Sequence, residues 1–395
     1  MMRLKLLVVG ITYLSRINWD KYITMGKLYP DSEFCVVFPE RSEDNFGKEL
    51  IGQSADFGNL KFIPLPAYLA QYETGHIYGE GFKELIQEFR PDVILVEHGA
   101  FANSLAQAIW YKKKVSPATN VIFFTWWNLP YKLTFPRNVI ERYNFQHTVG
   151  AITGNADAKE ILISRGYHNP IKVIPLLGAD ENTYKRTPQP ELREKYLEKE
   201  QVGLLYAGRI VEQKGILTLL RAVKHLKRLE LRTRWKLLLL GDGKLKPVVE
   251  NFIRKNDLES VVTLLPAVNH YEVIKYMCIS DIFILPSETM PYWKEQFGHV
   301  LIEAMACENV VVGSSSAEIP NVIGDGGFIF PEKNDGALAT ILAKLIDDPH
   351  LRREFAQKGR KRFLEHFTHT EIAKKTFEAC WQFSRQNEKD SIRVE

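Results

Sequence analysis

Nowhere in this 395-residue sequence does an apolar run reach the roughly 18 residues that a membrane-spanning helix needs. Cysteine is scarce as well. Cys35, Cys278, Cys307 and Cys380 lie far apart, and none forms a C-x-x-C pair. That spacing argues against a zinc site or a disulfide framework and points to a reducing, cytoplasmic setting. A strong charge bias is missing too: 52 Lys and Arg face 48 Asp and Glu, a formal net charge of +4. With no zinc-finger spacing and no compact basic arm, no nucleic-acid partner is expected. No G-x-G-x-x-G follows the first apolar run, which argues against a dinucleotide oxidoreductase. Gly241-Asp242-Gly243 does follow such a run, but Lys246 takes the third position, so it reads as a tight turn. No Asp-x-Asp pair is present to hold a divalent ion, and neither metal nor cofactor is expected.

What is present begins with residues 1–10, where Arg3 and Lys5 precede an apolar stretch as in a signal peptide. The stretch is short, Lys5 interrupts it and no small-residue cleavage site follows, so it reads as a first buried strand. The composition, 45% hydrophobic and 25% charged, is that of a globular protein, and the length exceeds what one core holds. Short apolar runs then alternate with amphipathic stretches almost to the end. Strands are expected over residues 4–9, 34–38, 61–64, 92–96, 120–125, 148–153 and 172–175, with helices such as 82–89 and 155–165 between them. A second series covers 203–207, 235–240, 261–265, 281–286, 309–313 and 327–330.

Continuous apolar strands alternating with helices predict parallel sheets covered on both faces. The expected fold is α/β, with two doubly wound Rossmann-like domains facing each other across a cleft. The N-terminal domain is assigned residues 1–180 and the C-terminal domain 181–368. A terminal helix in 369–395 packs back across the interface, and the charged, proline-containing stretch 178–201 reads as a linker.

The sequence LLYAGRIVEQKGILTLL, from Leu204 to Leu220, carries the most information. A buried strand ends at Gly208, a loop holds Arg209 and Lys214, and a helix begins near Gly215. Such turns bind phosphates in doubly wound folds, and a guanidinium with an ammonium neutralises a diphosphate. Two solvated loop charges are the bland alternative. A second constellation lies in EQFGHVLIEAMAC. Glu303 sits among Val300, Leu301, Ile302, Ala304, Met305 and Ala306, where a carboxylate needs partners; two ribose hydroxyls would serve, and so would an arginine. Glu295 precedes a helix start near Gly298, where free N–H groups favour an oxygen-rich ligand.

These segments, GRIVEQKG, LLLLGDG, SDIFILPS, EQFGHVLIEAMAC and AEIPNVIGDGG, are similar in order and spacing to those of glycosyltransferase family 4, retaining enzymes of the GT-B fold. The resemblance is close over residues 148–348. It implies that Arg209 and Lys214, with Gly208 at the turn, hold a donor diphosphate and that Glu303 holds the ribose. It further implies that Glu295, with Phe297 and Gly298, meets the transferred sugar and that the backbone at Val268 meets the base. The chain departs from the pattern at Pro266, where a glycine is usual, and at Gly10-Ile11-Thr12-Tyr13, where a glycine-rich turn is usual. Trp126-Trp127 stands where members often carry a histidine, and His98 is the nearest substitute, although a lone strand-end histidine is more often structural.

The expected partners are a nucleotide sugar and a saccharide or lipid-linked acceptor. The aromatic stretch 123–145 is read as the acceptor side, with Trp127 and Tyr131 in a surface loop. Basic residues over 209–236 and at Lys112, Lys113 and Lys114 leave open a peripheral contact with an anionic membrane at its inner face. A nucleotide-sugar epimerase and a non-catalytic sugar-nucleotide-binding subunit remain the alternatives.

Overall fold

A computed structural model describes residues 2–43, 49–72 and 74–385. The chain divides into two units, Met1–Leu177 with His369–Glu395, and Gly178–Thr368. The first unit holds strands β1 (Lys5–Val9), β2 (Glu33–Pro39), β3 (Ala55–Asp56), β4 (Leu60–Leu65), β5 (Val93–Val96), β6 (Asn120–Thr125), β7 (Gly150–Thr153) and β8 (Ile171–Val173). Its sheet order is β8-β7-β6-β5-β1-β2-β4-β3, parallel except for β3, which pairs antiparallel with β4. Helices α1 (Asp20–Leu28), α2 (Phe82–Phe89), α3 (Asn103–Val115), α4 (Arg137–His147) and α5 (Ala156–Ser164) connect these strands.

The second unit holds β9 (Val202–Ala207), β10 (Trp235–Leu240), β11 (Val262–Leu265), β12 (Ile282–Leu285), β13 (Val310–Ser314) and β14 (Gly327–Phe330), all parallel, in the order β11-β10-β9-β12-β13-β14. Between and after them run α6 (Pro190–Tyr196), α7 (Ile216–Lys227), α8 (Lys246–Lys255), α9 (His270–Ile279), α10 (His299–Ala306), α11 (Ile319–Ile323), α12 (Asp335–Asp347) and α13 (Pro349–His366). Each strand expected from the sequence is present, its ends within two residues of those expected. The edge strand β3 and two short antiparallel hairpins, 41–51 and 67–78, carried no apolar run to announce them.

Successive strand residues serve opposite faces. Leu204 and Tyr206 belong to one apolar cluster, Leu205 and Ala207 to another. In the first unit Leu6 and Val8 face one cluster, Leu7 and Val9 the other. That double burial explains why the strands read as continuous apolar runs. Helix α14 (His369–Ser384) belongs to the first unit, where Ile372, Phe377, Cys380 and Phe383 enter the core. Phe377 stacks on Tyr29 with ring centres 3.6 Å apart. Residues 386–395 of the expected terminal segment lie outside the described residues. The stretch 178–201 is not a linker: Ala179 and Tyr184 are buried in the second unit's core, and Leu192 and Tyr196 of α6 pack against it. Its prolines and most of its charged residues are exposed. Among the described residues no helix is long and apolar enough to cross a membrane.

Candidate functional site

In the second unit, chain order reverses between the first strand, β9, and the fourth, β12, which lie side by side with Leu204 opposite Ile282. Doubly wound sheets bind ligands at the carboxyl ends of such a strand pair. Two loops leave that edge together, 208–215 after β9 and 286–298 after β12. Gly215 has φ 66°, and a Cβ there would fall 1.7 Å from the Pro286 carbonyl oxygen, so only glycine lets the two loops approach this closely.

The approach brings Lys214 Nζ to 2.6 Å from Glu295 Oε2, and the same oxygen accepts from Ser287 Oγ at 2.8 Å. The ammonium also lies 4.8 Å from the centre of the Trp293 ring. Glu295 is buried in the structure and Lys214 nearly so. Arg209 is exposed, and no carboxylate pairs with it among the described residues. Its carbonyl oxygen accepts from the Tyr206 hydroxyl at 2.7 Å, which fixes the turn after Gly208. Burial raises the Tyr206 pKa, the Glu295 charge raises it further and the Arg209 charge opposes, so both charges act on this one phenol.

Gly298, at φ 79°, caps the N-terminus of α10. Phe297 packs against the core and meets Phe367 edge-on at 5.8 Å. Glu303, one face along α10, is 3% exposed. Its Oε1 accepts from His299 Nδ1 at 2.8 Å and lies 3.4 Å from His270 Nε2. The partners are thus histidines rather than an arginine or nothing at all. Oε2 takes no hydrogen bond among the described residues. His270 follows Val268 by two residues and is bonded by the Tyr184 hydroxyl, so the Val268 segment and Glu303 are joined through it.

In the first unit the order reverses between β1 and β5, and His98 stands there. It is 1% exposed; its Nε2 accepts from the Ile11 N–H at 2.9 Å and its Nδ1 meets Ser104 Oγ at 2.9 Å. Burial, with His76 beside it, holds His98 well below the ordinary histidine range, so the ring is neutral. Beside it Glu97 is clamped by Tyr13, Tyr22 and Lys21 at 2.6, 2.8 and 3.1 Å. Trp127 is 43% exposed, whereas Tyr131 is partly buried and donates to Glu141 Oε1 at 2.6 Å. A free surface position therefore describes Trp127 but not Tyr131.

Sequence reasoning missed Ser287, Trp293, His270 and His299. Only His299 left a usable signal, since it lies four residues before Glu303 on one helical face.

Residues 188–362 match the family described as "Glycosyl transferases group 1". The matched residues fall within the second unit. An uncharacterized glycosyltransferase of Methanocaldococcus jannaschii is 31% identical to this chain over 159 residues, 40% of this chain and 42% of the relative. Alpha-D-kanosaminyltransferase of Streptomyces kanamyceticus is 29% identical over 172 residues, 43% of this chain and 42% of the relative. The match thus spans less than half the length of either curated relative. Similarity in fold extends further: HepE of Anabaena, solved in complex with UDP, superposes with a TM-score of 0.68 at 16% identity, over 96% of this chain and 99% of that one. The matched region is accordingly the second Rossmann-like unit of a GT-B fold.

Proposed function

We propose that this chain is a retaining glycosyltransferase that moves a hexose-type sugar from a nucleotide diphosphate to a saccharide or lipid-linked acceptor, in polysaccharide or glycoconjugate biosynthesis. The observation that carries the reading is the switch point of the second unit, where Lys214, Glu295 and Ser287 converge beside the unpaired Arg209. Arg209 and Lys214 bind the donor diphosphate, and the backbone at Val268 meets the base. Glu303 offers its open Oε2 to the ribose. Glu295, with Phe297 and Gly298, positions the sugar. His98, Trp127 and Tyr131 serve the acceptor. HepE, which shares the fold, binds UDP, and the named relatives move sugars, which supports this reading.

As the bond between the sugar carbon and the phosphate oxygen breaks, its electron pair goes to the diphosphate. Fixed cations there are worth several kcal/mol, of the order found for oxyanion sites. The acceptor hydroxyl then bonds the sugar carbon from the face that the diphosphate leaves, and its proton passes to the departing phosphate oxygen. With Arg209 and Lys214 on the diphosphate and no Asp-x-Asp pair in the sequence, activity is proposed to survive chelation.

A contact with anionic membrane belongs to the proposal in reduced form. Of the basic residues over 209–236, Lys214, Arg221 and Arg234 are already paired, with Glu295, Asp335 and Glu198. Lys114 lies over Trp110 at 3.6 Å. The decisive experiment incubates the protein with a panel of nucleotide sugars, with and without chelator, and follows diphosphate release and melting temperature. A donor that binds the folded state raises the melting temperature. If no nucleotide sugar shifts it and none is turned over, the reading is wrong.

A further inference from the structure

Beside the loop that follows β6, the first unit holds a cavity of about 550 Å³, walled by residues 130–133, α4 and the end of α5. Ligand sites typically fall between roughly 300 and 1,000 Å³. One ion pair forms its frame. Arg165 Nε bonds both oxygens of buried Glu141 at 2.8 and 3.0 Å, and Nη1 donates to the Tyr131 carbonyl at 3.0 Å. The guanidinium also lies 4.2 Å from the centre of the Tyr131 ring. Arg165 is fully engaged, its charge cancels that of Glu141, and Tyr131 is fixed as a wall.

Two more cations line the cavity, Lys132 and Arg142. Both are exposed, and neither side chain makes an ion pair or hydrogen bond among the described residues. The cavity therefore carries a net charge of +2. Phe145 and Ile161 supply apolar wall between the polar groups. Two uncommitted cations match a dianion, and the rings of Tyr131 and Phe145 match the apolar face of a cyclic polyol.

We propose that this cavity binds a phosphorylated sugar or polyol, free or as the headgroup of a lipid. Lys132 and Arg142 take the phosphate, and the rings of Tyr131 and Phe145 take the apolar face of the sugar or polyol. The site lies within the first unit and shares Tyr131 with the acceptor side proposed above.

Calorimetric titration of the full chain with glucose 6-phosphate, and with glucose as the neutral control, tests it. Glucose 6-phosphate is expected to bind and glucose to bind at least about tenfold more weakly, since one charge-assisted contact is worth that much. The double variant K132A/R142A, which removes only exposed and unpaired groups, should melt as the wild type does and lose binding about tenfold or more. R209A should leave it unchanged, which separates this cavity from the donor site. Sedimentation with phosphatidylcholine vesicles, with and without phosphatidylinositol, distinguishes the sources. Sedimentation that requires phosphatidylinositol and fails in the double variant assigns a lipid headgroup; binding of glucose 6-phosphate alone assigns a free metabolite. If neither probe binds, or the double variant binds as the wild type does, the proposal is overturned.

Discussion

His299 donates from Nδ1 to the Glu303 carboxylate at 2.8 Å, one helical turn away on α10. Its other nitrogen, Nε2, faces the Gly178 carbonyl oxygen at 3.1 Å. Both neighbours are acceptors, so both ring nitrogens donate and the ring is an imidazolium. Burial opposes that charge, but the hydrogen bond and the charge of Glu303 outweigh it and raise His299 above the usual 6.5. A folded value above the unfolded one stabilises fully below the unfolded pKa, and the contribution fades as pH rises through the folded value. Melting temperatures of wild type and His299→Gln should therefore differ most below about pH 6 and draw together as pH rises above it. A gap that stays constant with pH would show that His299 is neutral.

The two cations of the proposed diphosphate clamp should part company in stability. Arg209→Ala and Lys214→Ala are each expected to lower turnover about a hundredfold or more, near 3 kcal/mol for a contact to developing charge. Both sit in a loop or turn, where substitution would ordinarily spare the fold. Arg209→Ala should do so, because no carboxylate among the described residues pairs with it. Lys214→Ala leaves buried Glu295 without its cation and should lower the melting temperature as well. Steady-state rates with matched melting curves decide it, and undiminished turnover in either variant would remove that residue from the clamp.

The two glutamates should divide nucleotide from sugar. Glu303→Gln keeps the volume but weakens the acceptor and loses its hold on His299, so affinity for a free nucleoside diphosphate should fall several-fold. Glu295→Gln should spare that affinity and damage transfer. Calorimetry with the nucleoside diphosphate alone gives the answer; equal losses in both variants would contradict the assignment.

Trp127→Ala should raise the acceptor Michaelis constant about fivefold, leaving donor affinity and melting temperature unchanged, as loss of an aromatic contact worth about 1 kcal/mol predicts. Tyr131→Ala is the contrasting case. It strips the hydroxyl from Glu141 and the ring from Arg165, and should destabilise the first unit. A normal acceptor Michaelis constant in Trp127→Ala would place the acceptor elsewhere.

The fold was largely legible because fully buried parallel strands announce themselves as apolar runs, as Trp235–Leu240 and Asn120–Thr125 do. The site was legible only where one segment held its own contradiction. Glu303 stood out as a carboxylate in an apolar helix, and its burial follows from that setting. The pairing of Lys214 with Glu295 could not be read, since the two are 81 residues apart and meet only because the first and fourth strands are neighbours. Tyr184 was hidden for a different reason. Its surroundings are charged and proline-containing, like a linker, while its own ring and that of Tyr196 anchor the stretch. The role of Ser287 was equally hidden, because a serine after a strand signals nothing until a carboxylate approaches it.

The return of α14 to the first unit has a consequence for synthesis on the ribosome. The second unit is one unbroken stretch, Gly178–Thr368, and all of it emerges before the residues that complete the first. Until His369–Ser384 arrives, one face of the N-terminal sheet lacks Ile372, Phe377, Cys380 and Phe383 and offers bare apolar surface to other chains. Domains made N-terminal first usually finish first. Here the order inverts: of the two units, the one that begins first is the later to close, and its apolar face stays open until α14 is released.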